Sequence, residues 1–198
     1  MTAGDIGKQR IEALSDGVYA IALTLLVLDL KLPALGDAIT NAQLVDALQT
    51  LLPKALTWGL SFWVMAILWM SQVRVYRLVH SLTRNMVRFE LLQLACVSLM
   101  PFSTSVIGEY GSLPAAAVLY SANMLGITIF GALRTRELLH NPRLHLDEVE
   151  QAMHQRLKIR AYALPTCALA ALVLGFFVPG WNMFAMAPMV LVPTLARV

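Results

Sequence analysis

The stretch Arg10-Ile-Glu-Ala-Leu-Ser-Asp-Gly-Val-Tyr-Ala-Ile-Ala-Leu-Thr-Leu-Leu-Val-Leu-Asp-Leu-Lys-Leu-Pro33 decides the fold. It opens polar, with Arg10, Glu12, Ser15 and Asp16, then runs apolar from Gly17 to Leu28 and stops at Pro33. Wound as a helix, Ile21, Leu25 and Leu28 fall at i, i+4 and i+7 and share one face. Thr24, the one aliphatic hydroxyl in the run, lies on the same stripe. Aliphatic stripes at this spacing are ordinarily packing. Two features argue for a water-facing path instead: the polar entry at Ser15 and Asp16, and the single hydroxyl. A ring of branched aliphatics can gate by dewetting, and a hydroxyl ring beside it can replace part of an ion's hydration shell. The stretch reads as a pore-lining segment and the rest of the chain as the wall that holds it.

Composition supports a wall made for lipid. Of 198 residues, 58% are hydrophobic and 14% charged, against roughly 25% charged in soluble domains. The mean hydropathy is +0.66. Several runs approach the ~20 apolar residues that span a bilayer. The net charge of +3 raises the question of nucleic acid, but the placement of the cations answers it. All but Lys31 and Lys54 of the 15 Lys and Arg fall in the N-terminus, in 74–88, in 134–160 or at Arg197. That is the positive-inside bias of a polytopic protein, and such segments suit cytoplasmic anionic lipid better than DNA.

The pattern predicts an all-α integral membrane protein, a single domain over 1–198 with transmembrane helices at about 10–32, 44–76, 86–107, 114–139, 156–177 and 181–195. Both termini then face the cytoplasm. Pro53 should kink or restart the second helix, Pro101 lies near the far end of the third, and Pro165 should kink or unwind the fifth. Small residues four apart at Ala122/Gly126 and Ala171/Gly175 permit close helix approach. Cys96 and Cys167 lie within apolar runs and read as small packing residues.

An ionisable group at the depth of Asp16 is costly unless paired or wetted. Arg10 is too far round the helix to pair with it. Asp16, with Ser15 beside it, is therefore expected to bind another helix as a structural lock, ahead of a direct contact with ions. His140, His145, Asp147, Glu148, Glu150 and His154 match no zinc spacing and read as a solvated face. No nucleophile–base pair and no Gly-rich phosphate loop are present, so nothing supports an enzyme, and no cofactor is implied. Two other functions compete with a channel. A small secondary transporter or proton carrier would call for an internal repeat, which the chain lacks. A non-conducting structural membrane protein would make the stripe simply core.

The signature Arg10-x3-Leu14-Ser15-Asp16-Gly17-Val18-Tyr19 resembles the R-x3-F-S-D motif of the transmembrane protein 175 potassium channels, in their bacterial branch. The similarity continues through Leu51–Lys54, Ser61–Trp63, Ser98–Phe102 and Gly108–Tyr110. The resemblance implies six transmembrane helices per subunit, assembly as homotetramers, no P-loop filter, and four copies of the first helix around the path of potassium ions. On that mapping Ile21 is the main hydrophobic constriction. Thr24, Leu25 and Leu28 line the path further on, with transient potassium near Thr24. Arg10, Ser15 and Asp16 tie the helix to its neighbours. Two positions depart from the family pattern. Leu14 stands where the signature has phenylalanine, and Gln72-Val73 stands where many members have histidine. A polar link from the first helix to the second must then use another partner, such as Gln72.

Overall fold

The structure, a computed structural model, describes residues 3–33, 39–141 and 151–179. The expected sixth helix at 181–195, the Pro179–Gly180 turn beyond Pro179, Arg197, and His145, Asp147, Glu148 and Glu150 lie outside the described residues, as does the side chain of His154.

The described chain folds into helices: α1 Ala3–Leu25, continued by a 3-10 turn Leu26–Asp29, α2 Asn41–Thr50, α3 Leu52–Arg77, α4 Arg84–Ser98, α5 Met100–Tyr110, α6 Pro114–His140 and α7 Gln151–Phe177. Among the described residues, five segments are long and apolar enough to cross a bilayer: Gly7–Asp29, Leu52–Arg77, Arg84–Tyr110, Pro114–His140 and Gln155–Phe177. The chain is a multi-pass membrane protein.

Prolines explain where the segments break. The second predicted helix is two helices, α2 and α3, parted at Leu51 with Pro53 in the first turn of α3. A proline lacks the N–H that a helix interior needs, but a first turn leaves that donor unpaired anyway. Pro101 acts in the same way at the start of α5, so the third span is α4 and α5 end to end. Pro165, expected to kink or unwind its helix, lies inside an α7 that runs through it without a break. Membrane helices tolerate an internal proline more readily than soluble ones; one residue on, Thr166 Oγ1 donates to Tyr162 O and Ala163 O at 3.0 and 2.8 Å, adding side-chain bonds to the same turn. Two helix starts lie earlier than periodicity suggests because a cap sets them. Thr40 and Gln43 form a capping box at α2, and Thr83 accepts from Met86 N at 3.1 Å at α4; each satisfies an otherwise orphaned backbone donor.

The core gathers Tyr19 and Ala22 of α1, Met65 and Leu68 of α3, Leu94 and Val97 of α4, Tyr120, Met124 and Ile127 of α6, and Ala168 and Ala171 of α7. Ser61 and Tyr120 share a buried hydrogen bond of 3.0 Å within it. The small residues serve this packing. A Cβ on Gly126 would lie 2.9 Å from Cys96 Sγ, and one on Gly175 would lie 3.3 Å from the Ala117 carbonyl carbon. Both glycines therefore set the spacing of α6 against its neighbours.

Candidate functional site: the two faces of helix α1

Successive residues of a helix turn through roughly 100°, so Ser15, Tyr19, Ala22 and Leu26 form one narrow stripe. All four are at most 2% exposed. A second stripe lies about a third of a turn round the helix, and there Ile21, Leu25 and Leu28 are 59%, 42% and 60% exposed. Thr24 is exposed on the same side. The helix thus offers one face to its own bundle and leaves the aliphatic face uncovered by any described residue of its own chain.

The packed face is pinned by polar contacts at its charged end. Gln72 Nε2 on α3 donates both to Ser15 Oγ and, at 2.5 Å, to Glu90 Oε1 on α4. The other Glu90 oxygen accepts from Arg134 Nη1 on α6 in a buried ion pair. The Arg134 guanidinium also lies 5.4 Å over the Tyr76 ring, a cation–π contact that gains strength from desolvation. One residue pair away, Gln93 Nε2 donates to Tyr19 OH at 3.3 Å. Four helices are thereby joined through one chain of side chains. An unpaired charge buried there would cost several kcal/mol, so each member depends on the others. A cavity of about 30 Å³ lies beside this chain, bordered by Gln72, Gln93, Thr128, Arg134 and Arg160.

Asp16 sits just off the buried stripe and accepts a 2.8 Å hydrogen bond from Trp69 Nε1 of α3. Ser15 and Asp16 therefore both reach α3, through Gln72 and Trp69 respectively. Arg10 behaves differently. It is exposed, forms no ion pair among the described residues, and borders a groove with Leu14, Leu82 and Val87. Lys8 makes the contact at that end, donating to Val79 O at 2.7 Å. At the opposite end Asp29 Oδ1 accepts from Ser105 Oγ of α5 at 2.6 Å, close to an ion pair of Lys54 and Glu109. Helix α1 is held at both ends.

Thr24 donates its hydroxyl proton back to its own helix, to Ala20 O or Ile21 O at 3.0 and 2.9 Å. With the proton so engaged, the outward side of the oxygen carries lone pairs. No group of three or more His, Cys, Asp or Glu residues able to hold a metal occurs among the described residues. Sequence reasoning missed Glu90, Arg134 and Asp29. Glu90 left a signal, being a lone carboxylate inside an apolar span, which calls for a partner; Arg134 was hidden among the cations of the 134–160 segment.

A family model described as the endosomal/lysosomal potassium channel TMEM175 matches residues 10–101. A potassium channel of Chamaesiphon minutus is 37% identical over 123 residues, covering 61% of this chain and 60% of that protein. The endosomal/lysosomal proton channel TMEM175 of Rattus norvegicus is 30% identical over 149 residues, 68% of this chain but 29% of that protein. The match thus spans less than two thirds of either relative's length. The crystal structure of a lysosomal potassium-selective channel TMEM175 homologue from Chamaesiphon minutus superposes with a TM-score of 0.80 at 26% identity, covering 97% of this chain and 99% of that one. The matched segment contains the Arg10–Asp16 signature and the α1–α3 contacts, and the helical frame is shared almost end to end, so both the sequence and the fold resemble those of the TMEM175 family.

Proposed function

We propose that this chain is the subunit of a homotetrameric, potassium-permeable cation channel of the cell (inner) membrane, with four copies of α1 around the ion path and both termini in the cytoplasm. The observation that carries the reading is the bare face of α1, where Ile21, Thr24, Leu25 and Leu28 are exposed on a helix whose other face is locked into its own bundle. One subunit has one such face and cannot enclose a path, so copies have to meet around it. On the family mapping Ile21 makes the narrowest ring, and Thr24, Leu25 and Leu28 follow. The outward lone pairs of Thr24 suit a cation shedding water, not an anion. One hydroxyl ring among aliphatic rings offers few coordinating dipoles, so selectivity should be modest. The name of the Chamaesiphon minutus relative supports potassium as the permeant ion.

Potassium efflux from liposomes carrying the wild type, Ile21→Asn or Val173→Asn tests this. Val173 is an exposed apolar residue of α7. A polar ring wets a hydrophobic constriction, so Ile21→Asn should raise flux on the order of tenfold, and Val173→Asn should leave it unchanged. Equal effects at the two positions would remove the pore from α1. No flux from any folded oligomer would leave a structural membrane protein. The name of the rat relative favours a second reading, proton conduction. A pH-sensitive dye in the same vesicles separates the two, because acidification without potassium efflux would make the proton the permeant ion.

A further inference from the structure

We propose that the groove between the cation-rich ends of α6 and α7 is a binding site for an anionic phospholipid. The groove encloses about 350 Å³. From α6 it takes Ile129, Leu133, Arg136 and His140, which fall at i, i+4, i+7 and i+11 and form one stripe. From α7 it takes Lys158, Tyr162 and Pro165. The two helices run antiparallel, so Arg136, His140 and Lys158 meet at one end of the groove. Ile129 lies seven residues deeper than Arg136, about 10 Å along the axis.

The site is therefore graded, with cations at the level of a membrane surface and apolar side chains toward the membrane interior. A phospholipid has the matching order of groups, an anionic headgroup above acyl chains. Free phosphate would use only the cationic end, and a zwitterionic lipid would gain less from it. Arg136 and Lys158 form no ion pair among the described residues, in contrast to Arg134, which faces inward to Glu90. His140 Nδ1 is engaged with Arg136 O at 2.9 Å, which holds the ring at the groove mouth. Basic pockets between membrane helices are suited to acidic headgroups, each cation near the surface contributing about 1 kcal/mol.

The test reads binding and does not depend on conduction. Native mass spectrometry of the full chain in detergent would compare retention of phosphatidylglycerol with that of phosphatidylcholine, with and without inorganic phosphate. The wild type should favour phosphatidylglycerol about thirtyfold, from two surface cations acting together. Arg136→Gln/Lys158→Gln should abolish the preference, whereas Arg77→Gln/Arg88→Gln, a charge-matched pair at the same end of the bundle, should keep it. In the wild type alone, phosphatidylglycerol should raise the unfolding temperature more than phosphatidylcholine at equal mole fraction. Equal losses in the two double variants would reduce the site to general surface charge. Displacement of the lipid by millimolar phosphate would make it a phosphate site. Equal retention or equal stabilisation by the two lipids would overturn the proposal.

Discussion

On α1, Ser15, Tyr19, Ala22 and Leu26 look into the bundle, and Ile21, Leu25 and Leu28 look out of it. The inward face is chemically mixed and densely bonded, because it has to find one orientation among α3, α4 and α6. The outward face is almost uniformly aliphatic and, among the described residues, makes no polar contact except the internal bond of Thr24. Partners with direction hold a helix in place; an uncommitted apolar face leaves it available to identical copies. The contrast separates what keeps the subunit folded from what a path at its surface would use.

The comparison can be broken most severely at Arg134. Arg134→Met leaves Glu90 buried without its cation and should cost about 3–5 kcal/mol of stability, read from unfolding in detergent. Restoring most of that loss with Glu90→Met added would show that the pair supplies orientation more than net stability; full loss in the double variant would show that the ion pair itself is needed. Trp69→Phe removes the donor to Asp16 while keeping an aromatic ring, and should cost about 1 kcal/mol. If flux also changed as much as in Ile21→Asn, the two faces would not be separable. Thr24→Val keeps shape and removes the oxygen. It should leave stability within about 0.5 kcal/mol and lower potassium flux about two- to threefold. Unchanged flux would leave the aliphatic rings as the sole feature of that face.

Periodicity made the outward face legible, because three aliphatics and a threonine recur at helical spacing within a single segment. The family signature marked Ser15 and Asp16, and the missing histidine directed attention to Gln72, which does reach Ser15. Arg10 shares the signature but none of its polar contacts among the described residues, so a motif alone did not say which member bonds. The Glu90–Arg134 pair joins residues 44 positions apart, and nothing local to either helix encodes that meeting. The proline breaks were readable in position but not in outcome. Pro53 and Pro101 stand in the first turns of new helices, whereas α7 runs through Pro165 without a break.

The hydrogen bonds at Ser15 and Asp29 make α1 a strut pinned at its two ends. Between the pins the chain takes 14 steps, ten at the α-helical rise and four at the longer 3-10 rise, about 23 Å in all. A rod so fixed is stiff to translation and softest to bowing, and its largest lateral excursion falls at mid-span. Mid-span here is Ile21–Ala22, so small flexures of the strut would move the exposed Ile21 side chain most and the residues beside either pin least.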